Sequence, residues 1–239
     1  MQRPAEGAQT PPPHWPSRAP GALFVTLEGP DGAGKSTQAR ALAARLEAAG
    51  HRVRLTREPG GAAGAEAIRQ LLVTGEPGRW SAETEALLFT AARRDHVERV
   101  IAPALAAGEI VLCDRYVDST RAYQAAAARD LVDALHHLAI GLDPDLTLIL
   151  DIAPERALAR ATARAEAHAT VQTTAHEGED RFEQKGVGFQ EALRGAFQAI
   201  AAAEPTRCRI IDADAAPEMV ETRLWEALSA MLPAPGTQP

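Results

Sequence analysis

The chain has 239 residues, which is enough for one α/β domain with a substantial hydrophobic core. Its formal net charge of −7 argues against a protein that coats nucleic acid, so local arginine clusters must meet any anionic ligand. No apolar run reaches about 18 residues, so we expect no membrane span and a cytoplasmic location. The two cysteines, Cys113 and Cys208, are too few for a disulfide framework or a cysteine-based zinc site, and their apolar neighbours predict buried thiols.

The two ends of the chain differ in composition from the rest. Residues 1–20 contain six prolines and almost no aliphatic residues, which predicts a disordered leader. This leader lacks the apolar segment of a secretory signal. Residues 232–239 are expected to form a flexible tail, which leaves a single domain over 21–231.

Between these ends, strand patterns alternate with helix patterns, which predicts a parallel sheet covered by helices on both faces. The strands are expected at 22–28, 52–56, 109–113, 145–151 and 207–212. The helices are expected at 35–49, 64–74, 81–107, 118–128, 130–141, 154–165, 181–203 and 216–231. Pro103 should kink or shorten the third helix, because proline cannot donate the helical hydrogen bond.

Directly after the first apolar run, residues 29–36 fit the pattern G-x-x-x-x-G-K-[ST] of a phosphate-binding loop. Backbone N–H groups of such a loop point at an anion, the following helix adds the positive end of its dipole, and Lys35 adds a point charge. The alternative is a glycine-rich turn that only caps a helix. The residues expected to bind a nucleoside triphosphate are Gly29, Pro30, Asp31, Gly32, Ala33, Gly34, Lys35, Ser36 and Thr37.

A mobile lid is predicted over about 156–181. Residues 165–180 lack a clear apolar period, and arginines stand at their border. Arg156, Arg160 and Arg164 step by four residues, so they share one face of a helix. Such a row of like charges is unfavourable unless an anion meets it, although a solvated basic stripe is the alternative. Next to a phosphate loop, a lid that closes over a polyphosphate is the better interpretation.

Six further segments follow the phosphate loop in a specific order. They are TREPGG at 56–61, LLFTAAR at 87–93, DRY at 114–116, STRAYQ at 119–124, PDLTLILD at 144–151 and IDA at 211–213. Together with the loop they resemble the thymidylate kinase (dTMP kinase) family, from about residue 22 to residue 228. The resemblance implies the P-loop nucleoside monophosphate kinase fold, an α/β fold with a five-stranded parallel sheet flanked by helices, in a homodimer. It also implies the reaction ATP + dTMP → ADP + dTDP.

Phosphoryl transfer to a monophosphate calls for charge neutralisation rather than proton transfer. The acceptor phosphate has a second pKa of about 6, so it is already a nucleophile at neutral pH and needs no general base. The protein must instead hold two polyanions in line and neutralise their shared charge. A phosphate loop, Mg²⁺ and several arginines perform that task, and none of the seven histidines lies in a motif.

The resemblance assigns roles to the residues around the phosphates. Lys35 would hold the β- and γ-phosphates, Ser36 would ligate Mg²⁺, and Asp114 would support the metal through water. Arg115 would touch the acceptor phosphate and the transferred phosphoryl group together. The simpler alternative for Asp114 and Arg115 is an ion pair that closes a strand end.

The resemblance also assigns the lid arginines. Arg160 and Arg164 would act as catalytic arginines, because Gly32 stands where other members of the family carry an arginine in the loop. The lid is longer than is usual in the family, with His168 and His176 inserted. Two histidines eight residues apart on a loop are poor support for a metal site.

The same comparison implies a pocket for dTMP. Phe89 would stack on thymine and Arg93, one helical turn further along, would bond the ring oxygen O4. Without the resemblance, Phe89 would be interpreted as a core residue of an amphipathic helix. Tyr123 would crowd the 2′ position of the sugar and favour deoxyribose. The full set expected to bind dTMP is Asp31, Glu58, Pro59, Arg69, Phe89, Arg93, Arg115, Ser119, Tyr123 and Gln124.

Several members of this set carry alternatives. Asp31 would hold the 3′-hydroxyl or orient a neighbouring arginine. Arg69 would reach the dTMP phosphate, although a surface arginine explains it nearly as well. Ser119 and Gln124 would lie near the base, and a cis peptide at Glu58–Pro59 would shape the pocket.

Other functions stay open at this stage. The run Ala125–Ala128 replaces a glycine-rich segment of the family and should extend the preceding helix. A kinase for another nucleoside monophosphate or for a deoxynucleoside is the second enzyme hypothesis. A GTP-dependent switch would need an N-K-x-D stretch, which the sequence lacks. The lid arginines argue against a nucleotide-binding module without catalysis.

Overall fold

The computed structural model describes residues 13–76, 78–124, 128–170 and 186–232, with the backbone alone for 164–170. The strands of this described part are β1 (Leu23–Glu28), β2 (Val53–Arg57), β3 (Ile110–Asp114), β4 (Leu146–Asp151) and β5 (Cys208–Asp212). They form one parallel sheet in the order β2-β3-β1-β4-β5. Each predicted strand is confirmed to within one residue at either end.

Helices follow the strands along most of the chain. They are α1 (Lys35–Ala48), α2 (Ala63–Val73), α3 (Ala82–His96), α4 (Ala102–Ala106), α5 (Val117–Tyr123), α6 (Arg129–Leu135), α7 (Pro154–Thr170), α8 (Gly186–Ala203) and α9 (Pro217–Ser229). A π-helical turn follows α3 at Val97–Ile101, and a second follows α6 at His136–Ile140. The predicted α/β fold with a five-stranded parallel sheet is confirmed.

Both faces of the sheet are covered, as the apolar strands require. Every residue of the central strand β1 is buried. Val25 and Leu27 pack with Leu42 of α1 and Leu224 of α9 on one face. Phe24, whose side chain alternates with theirs, packs on the other face with the first π turn and α4. Each such buried side chain contributes about 1.5–3 kcal/mol to folding.

Pro103 lies in a continuous helical segment that the sequence predicted over 81–107. The segment runs from Ala82 to Ala106, and the π turn Val97–Ile101 ends two residues before Pro103. Proline cannot donate to the preceding turn, and its ring crowds the carbonyl one turn back. The wider π turn accommodates both effects, so the helix continues instead of ending.

Two helix ends differ from the prediction by more than two residues, and a third falls outside the described part. The helix expected over 118–128 ends at Tyr123, where Gln124 leaves the helical conformation and bonds Glu85, so a tertiary contact overrides the helix propensity of alanine. Residues 125–127 lie outside the described part. α7 continues to Thr170 instead of 165, because its alanines and charged residues favour helix. α8 is described from Gly186, and the predicted start at 181 falls outside the described residues.

Residues 13–20, part of the expected disordered leader, contact the domain. The indole N–H of Trp15 donates to the Ile140 carbonyl at 2.6 Å, and the Arg94 guanidinium lies 4.5 Å above the Trp15 ring. Arg18 pairs with Asp145 at 2.5 Å. Composition alone predicts disorder for these residues. It carries no information on the tertiary contacts of Trp15 and Arg18, which hold the segment against the domain. Within the described ranges, no helix has the length and apolar character needed to cross a membrane.

Candidate active site

The motifs of the sequence meet at one edge of the sheet. Gly29 follows β1, Glu58 follows β2 and Asp114 ends β3, and these three strands are neighbours. Open α/β folds bind ligands at the carboxyl ends of their strands. The phosphate loop therefore lies beside the TREPGG and DRY segments, as a joint site requires.

The phosphate loop has a backbone that only glycine adopts readily. Gly29, Gly32 and Gly34 have φ values of 131°, 80° and 93°. A Cβ at Gly29 would lie 2.5 Å from the carbonyl oxygen of Leu150, and one at Gly32 would collide with that of Ala157. No side chain of the described residues caps α1 at Gly34, so the first N–H groups of α1 can meet an anion.

Lys35 brings a buried positive charge to this loop. Its ammonium donates to the Pro30 carbonyl at 2.8 Å and lies 3.9 Å from Oδ1 of Asp31. Burial and the positive charge of Arg115 lower the pKa of Lys35 to about 8, against the opposite effect of Asp31 and nearby carboxylates. A phosphate in the loop would add to the negative charge that Asp31 already places near this ammonium.

Ser36 and Asp114 offer two oxygens suited to a divalent cation. The Ser36 hydroxyl, in the first turn of α1, donates to Oδ2 of Asp114 at the end of β3. A hydroxyl and a carboxylate are hard oxygen donors of the kind that Mg²⁺ prefers. In the described part of the chain, no three His, Cys, Asp or Glu side chains form a metal-binding group. The pair fits a cation that takes most of its ligands from phosphates and water.

Arg115 joins the phosphate loop to α5. Its guanidinium donates to the Gly29 carbonyl at 3.1 Å, the Ser119 hydroxyl at 2.9 Å and Oδ1 of Asp31 at 2.5 Å. It also donates to the Tyr123 hydroxyl at 3.3 Å. Its φ of +71° is the single positive value of a non-glycine residue among those described. A left-handed residue of this kind costs about 1–3 kcal/mol and is typical of functional sites.

Asp31 is held as a carboxylate by its neighbours. Burial alone would raise its pKa, but the charges of Arg115 and Lys35 and a hydrogen bond from Tyr123 hold that pKa well below its usual range. The Tyr123 hydroxyl donates to Oδ2 of Asp31 at 2.8 Å. Of the two roles that the sequence left open for Asp31, the contact with a neighbouring arginine is present here.

Arg93 is buried in α3 and fixed on several sides. Its Nε donates to Oε2 of Glu58 at 2.8 Å, and its Nη2 donates to the Thr120 hydroxyl at 3.0 Å. The Tyr116 ring lies 5.0 Å from the guanidinium carbon. The other oxygen of Glu58 lies 3.1 Å from Nδ1 of His96. Both oxygens of Glu58 are therefore engaged inside the protein, whereas no described residue bonds Nη1 of Arg93.

The other residues predicted to bind dTMP lie around this edge. Phe89 is half-buried on α3. The Gln124 amide donates to the buried Glu85 carboxylate at 2.7 Å, so its side chain is committed to α3. Arg69 of α2 donates at 2.7 Å to the proline carbonyl of Glu58–Pro59, whose peptide bond is cis, as the sequence suggested.

The predicted lid is described only in part. Arg160 of α7 donates weakly to the Ala213 carbonyl at 3.4 Å. It lines a cavity of about 240 Å³ together with Gly32 and Thr37, directly beside the phosphate loop. The side chain of Arg164 lies outside the described residues, as do the side chains of the two inserted histidines and residues 171–185. The structure thus brings Arg160 to the cavity beside the phosphate loop.

Comparison with known proteins decides the family. The sequence pattern described as thymidylate kinase matches residues 27–224. This chain belongs to the thymidylate kinase family. A thymidylate kinase of Jannaschia sp. (strain CCS1) is 56% identical over 201 residues, covering 83% of this chain and 91% of that relative. One of Caulobacter vibrioides (strain ATCC 19089 / CIP 103742 / CB 15) is 55% identical over 197 residues, covering 81% and 89%.

Solved structures agree with this assignment. A crystal structure of thymidylate kinase from Ehrlichia chaffeensis is 33% identical in sequence and superposes with a TM-score of 0.68. The match covers 87% of this chain and 100% of that chain. The P-loop nucleoside monophosphate kinase fold, expected from the resemblance to thymidylate kinases, is confirmed.

Sequence analysis overlooked one buried acid of this thymidylate kinase fold. Glu28 ends β1 and accepts from the Tyr116 N–H at 2.8 Å and from the Ser119 hydroxyl at 2.5 Å. Burial and the charge of Asp118 raise the pKa of Glu28 to about 8, although Ser119 and Arg115 act in the other direction. The available signal was an acid at the end of an apolar strand, directly before the first glycine of the loop.

Two residues that support Arg93 were also overlooked. Thr120 lies inside the STRAYQ segment, so its position could have been suspected from the sequence. His96 lies outside every segment that carried the resemblance to thymidylate kinases, and its partner Glu58 is 38 residues away. Such a contact leaves no local signal.

Proposed function

We propose that this protein transfers the γ-phosphoryl group of ATP to dTMP, giving ADP and dTDP for the synthesis of dTTP. Membership of the thymidylate kinase family supports this reaction. The observation that carries the proposal is the position of Arg115, whose guanidinium bonds the phosphate loop at Gly29 and α5 at Ser119. One cation at that junction can touch the donor and the acceptor phosphates together.

The donor triphosphate would lie in the loop formed by residues 29–37. The open N–H groups of α1 and the ammonium of Lys35 would attract its β- and γ-phosphates. Arg160 would approach the same phosphates from the cavity beside Gly32, and we extend this catalytic role to Arg164. These cations stabilise the charge of the transferred group without taking part in proton transfer.

The acceptor dTMP would lie between α3 and α5. Phe89 would stack on thymine, and Nη1 of Arg93 would donate to O4, since its other nitrogens already bond Glu58 and Thr120. Glu58 thus orients Arg93, and Tyr123 crowds the 2′ position of the sugar. The remaining residues proposed to line the dTMP site are Asp31, Pro59, Arg69, Ser119 and Gln124.

Arg115 stabilises the approach of the two phosphates, which is the contribution specific to catalysis. The two phosphates repel each other as they approach, and a planar guanidinium between them lowers that repulsion through two parallel N–H groups. Asp31 and Tyr123 hold the guanidinium at this junction before substrates bind, and the phosphates would replace some of the present partners of its N–H groups. The acceptor oxygen is already charged at neutral pH, so no residue is needed as a general base.

We also propose Mg²⁺ as the cofactor, with Ser36 and Asp114 as the residues that would hold it. Their two oxygens suit a hard cation that keeps several waters and binds substrate phosphates. When bound, the cation would neutralise phosphate charge and polarise the transferred phosphoryl group.

We propose further that the chain acts as a homodimer in the cytoplasm. Leu71 of α2, Leu87 of α3 and Leu138 of the second π turn are 42%, 52% and 50% exposed. α3 contacts both α2 and that π turn, so these apolar side chains lie on neighbouring elements. Grouped exposed apolar residues are typical of an interaction surface.

ADP release with dTMP, dUMP, dCMP and dGMP as acceptors tests the reaction. We expect the highest kcat/KM for dTMP, because Arg93 can donate to a ring oxygen but not to the amino group of cytosine. dUMP, which lacks the methyl group, should be about 10-fold or more poorer. The control reaction, with EDTA in place of Mg²⁺, should release no ADP. Equal turnover of dGMP or dCMP would refute the specificity.

A further inference from the structure

The backbone N–H and carbonyl of Arg115, and the N–H of the next residue, all form hydrogen bonds. Its N–H donates to the Leu27 carbonyl at 2.9 Å, and its carbonyl accepts from the Cys113 thiol at 3.0 Å. The following N–H, that of Tyr116, donates to Oε1 of Glu28 at 2.8 Å. These contacts surround a residue with a φ of +71°, which an arginine seldom adopts unaided.

Glu28 differs from the other two partners because it also reaches the guanidinium. Its Oε2 accepts from the Ser119 hydroxyl at 2.5 Å. The same hydroxyl oxygen accepts from Nη1 of Arg115 at 2.9 Å. One carboxyl group therefore bonds the peptide that follows Arg115 and, through a single hydroxyl, the far end of the Arg115 side chain.

Burial of this acid is costly, and among the described residues its carboxylate bonds the Tyr116 N–H and the Ser119 hydroxyl alone. Glu28 is completely buried at the centre of the sheet, with the negative charge of Asp118 nearby. An apolar residue would fill the end of β1 without that cost. Burial raises the pKa of Glu28 to about 8, yet Oε1 can accept from the Tyr116 N–H in either protonation state. The hydrogen bonds that Glu28 accepts from Tyr116 and Ser119 therefore explain why an acid stands at this position.

We propose that Glu28 is a positioning residue for phosphoryl transfer, which keeps Arg115 in its left-handed conformation and, through Ser119, directs its guanidinium at the phosphates. This inference rests on the role proposed above for Arg115. Ser119 would then orient Arg115 in addition to lining the dTMP site. Neither Glu28 nor Ser119 needs to touch a substrate for this role.

A double-mutant cycle with Glu28→Leu and Arg115→Ala tests the proposal. Glu28→Leu should lower kcat by about 10- to 100-fold, because a small displacement of a catalytic group has that effect. The KM for ATP should change by less than about threefold, because the phosphate loop is intact. In the Arg115→Ala background the same substitution should lower kcat no further, since its effect passes through Arg115. Glu28→Gln keeps an acceptor for Tyr116 and should retain most of the activity.

Controls separate this role from a general effect on the fold. Thr26→Val removes another buried hydrogen bond of β1, to Thr147 at 3.0 Å, and should leave kcat unchanged. If Glu28→Leu does not fold, judged by thermal unfolding, Ser119→Ala in both backgrounds tests the same connection.

The possible contrary results are distinct. Additive losses in the double variant, or an equal loss in Thr26→Val, would overturn the positioning role of Glu28 and leave the role of Arg115 intact. Unchanged turnover of Arg115→Ala alone would refute the role of Arg115, and the inference about Glu28 with it.

Discussion

At the scale of single residues, acidic side chains hold the cations of this candidate site. Asp31 holds the guanidinium of Arg115, and Glu58 holds that of Arg93. Charge-assisted hydrogen bonds of this kind are stronger and better oriented than neutral ones. In the proposed mechanism the cations are therefore held near the phosphates before these bind, which is the condition for electrostatic catalysis.

Lys35→Ala should remove a large share of the transition-state stabilisation. We expect a loss of about 3–4 kcal/mol in kcat/KM, because the substitution deletes a buried charge from the phosphate loop. Arg40→Ala, which removes an exposed cation from the same helix, is the matched control and should change little. Steady-state kinetics with ATP and dTMP measure both variants, and wild-type turnover of Lys35→Ala would contradict the assignment.

Spacing in the sequence predicted most residues of the site, Asp31 and Glu58 included, but not the buried acid Glu28. The phosphate loop, Arg115 and Arg93 lie in motifs whose residues are consecutive. Glu28 and Ser119 bond each other across 91 residues, and this contact exists only once β1 and α5 are adjacent. No local pattern records such a contact. The left-handed backbone of Arg115 could not be predicted either, since arginine, unlike glycine, has no preference for a positive φ.

At the scale of elements, the strands were easier to predict than the helix ends. A buried parallel strand is a short apolar run between turn residues, and both limits can be found in the sequence. Pro103 predicted a kink or an early end in its helix. It did not predict the π turn that lets the helix continue. The second π turn at His136–Ile140 had no comparable signal. Helix ends depend on tertiary contacts such as that of Gln124 with Glu85.

The lid helix α7 supplies the prediction at this scale. Arg160→Ala should lower kcat far more than it raises the KM for dTMP, because Arg160 lines the cavity beside the phosphate loop and not the thymine pocket proposed between α3 and α5. Thr162→Ala alters an exposed residue of the same helix and should leave both constants unchanged. A variant in which KM alone changes would show that Arg160 is not a catalytic arginine.

At the scale of the whole molecule, the sequence predicted the class of architecture but not the order of the strands in the sheet. Alternating strands and helices require parallel pairing and coverage of both faces. The position of β1 between β3 and β4 depends on which crossovers are made, and several right-handed arrangements satisfy the same pattern. That central position is what brings the phosphate loop beside Asp114 and Arg115.

Leu87→Asp tests the proposed dimer surface. The wild-type protein should elute with twice the 25.4 kDa mass of the chain in size-exclusion chromatography with light scattering. A carboxylate at Leu87, which is 52% exposed on α3, should produce a monomer. Met219→Asp, equally exposed on α9 on the other face of the sheet, should remain dimeric. A monomeric wild-type protein would contradict the proposal.

The central claim is that Arg115 contacts both phosphates during transfer. A crystal structure with dTMP and a non-hydrolysable ATP analogue measures this directly. We expect the acceptor oxygen about 3–3.5 Å from the γ-phosphorus, with the Arg115 guanidinium bonded to both phosphates. Nucleotides bound apart from each other, or both bound without a contact to Arg115, would contradict the account.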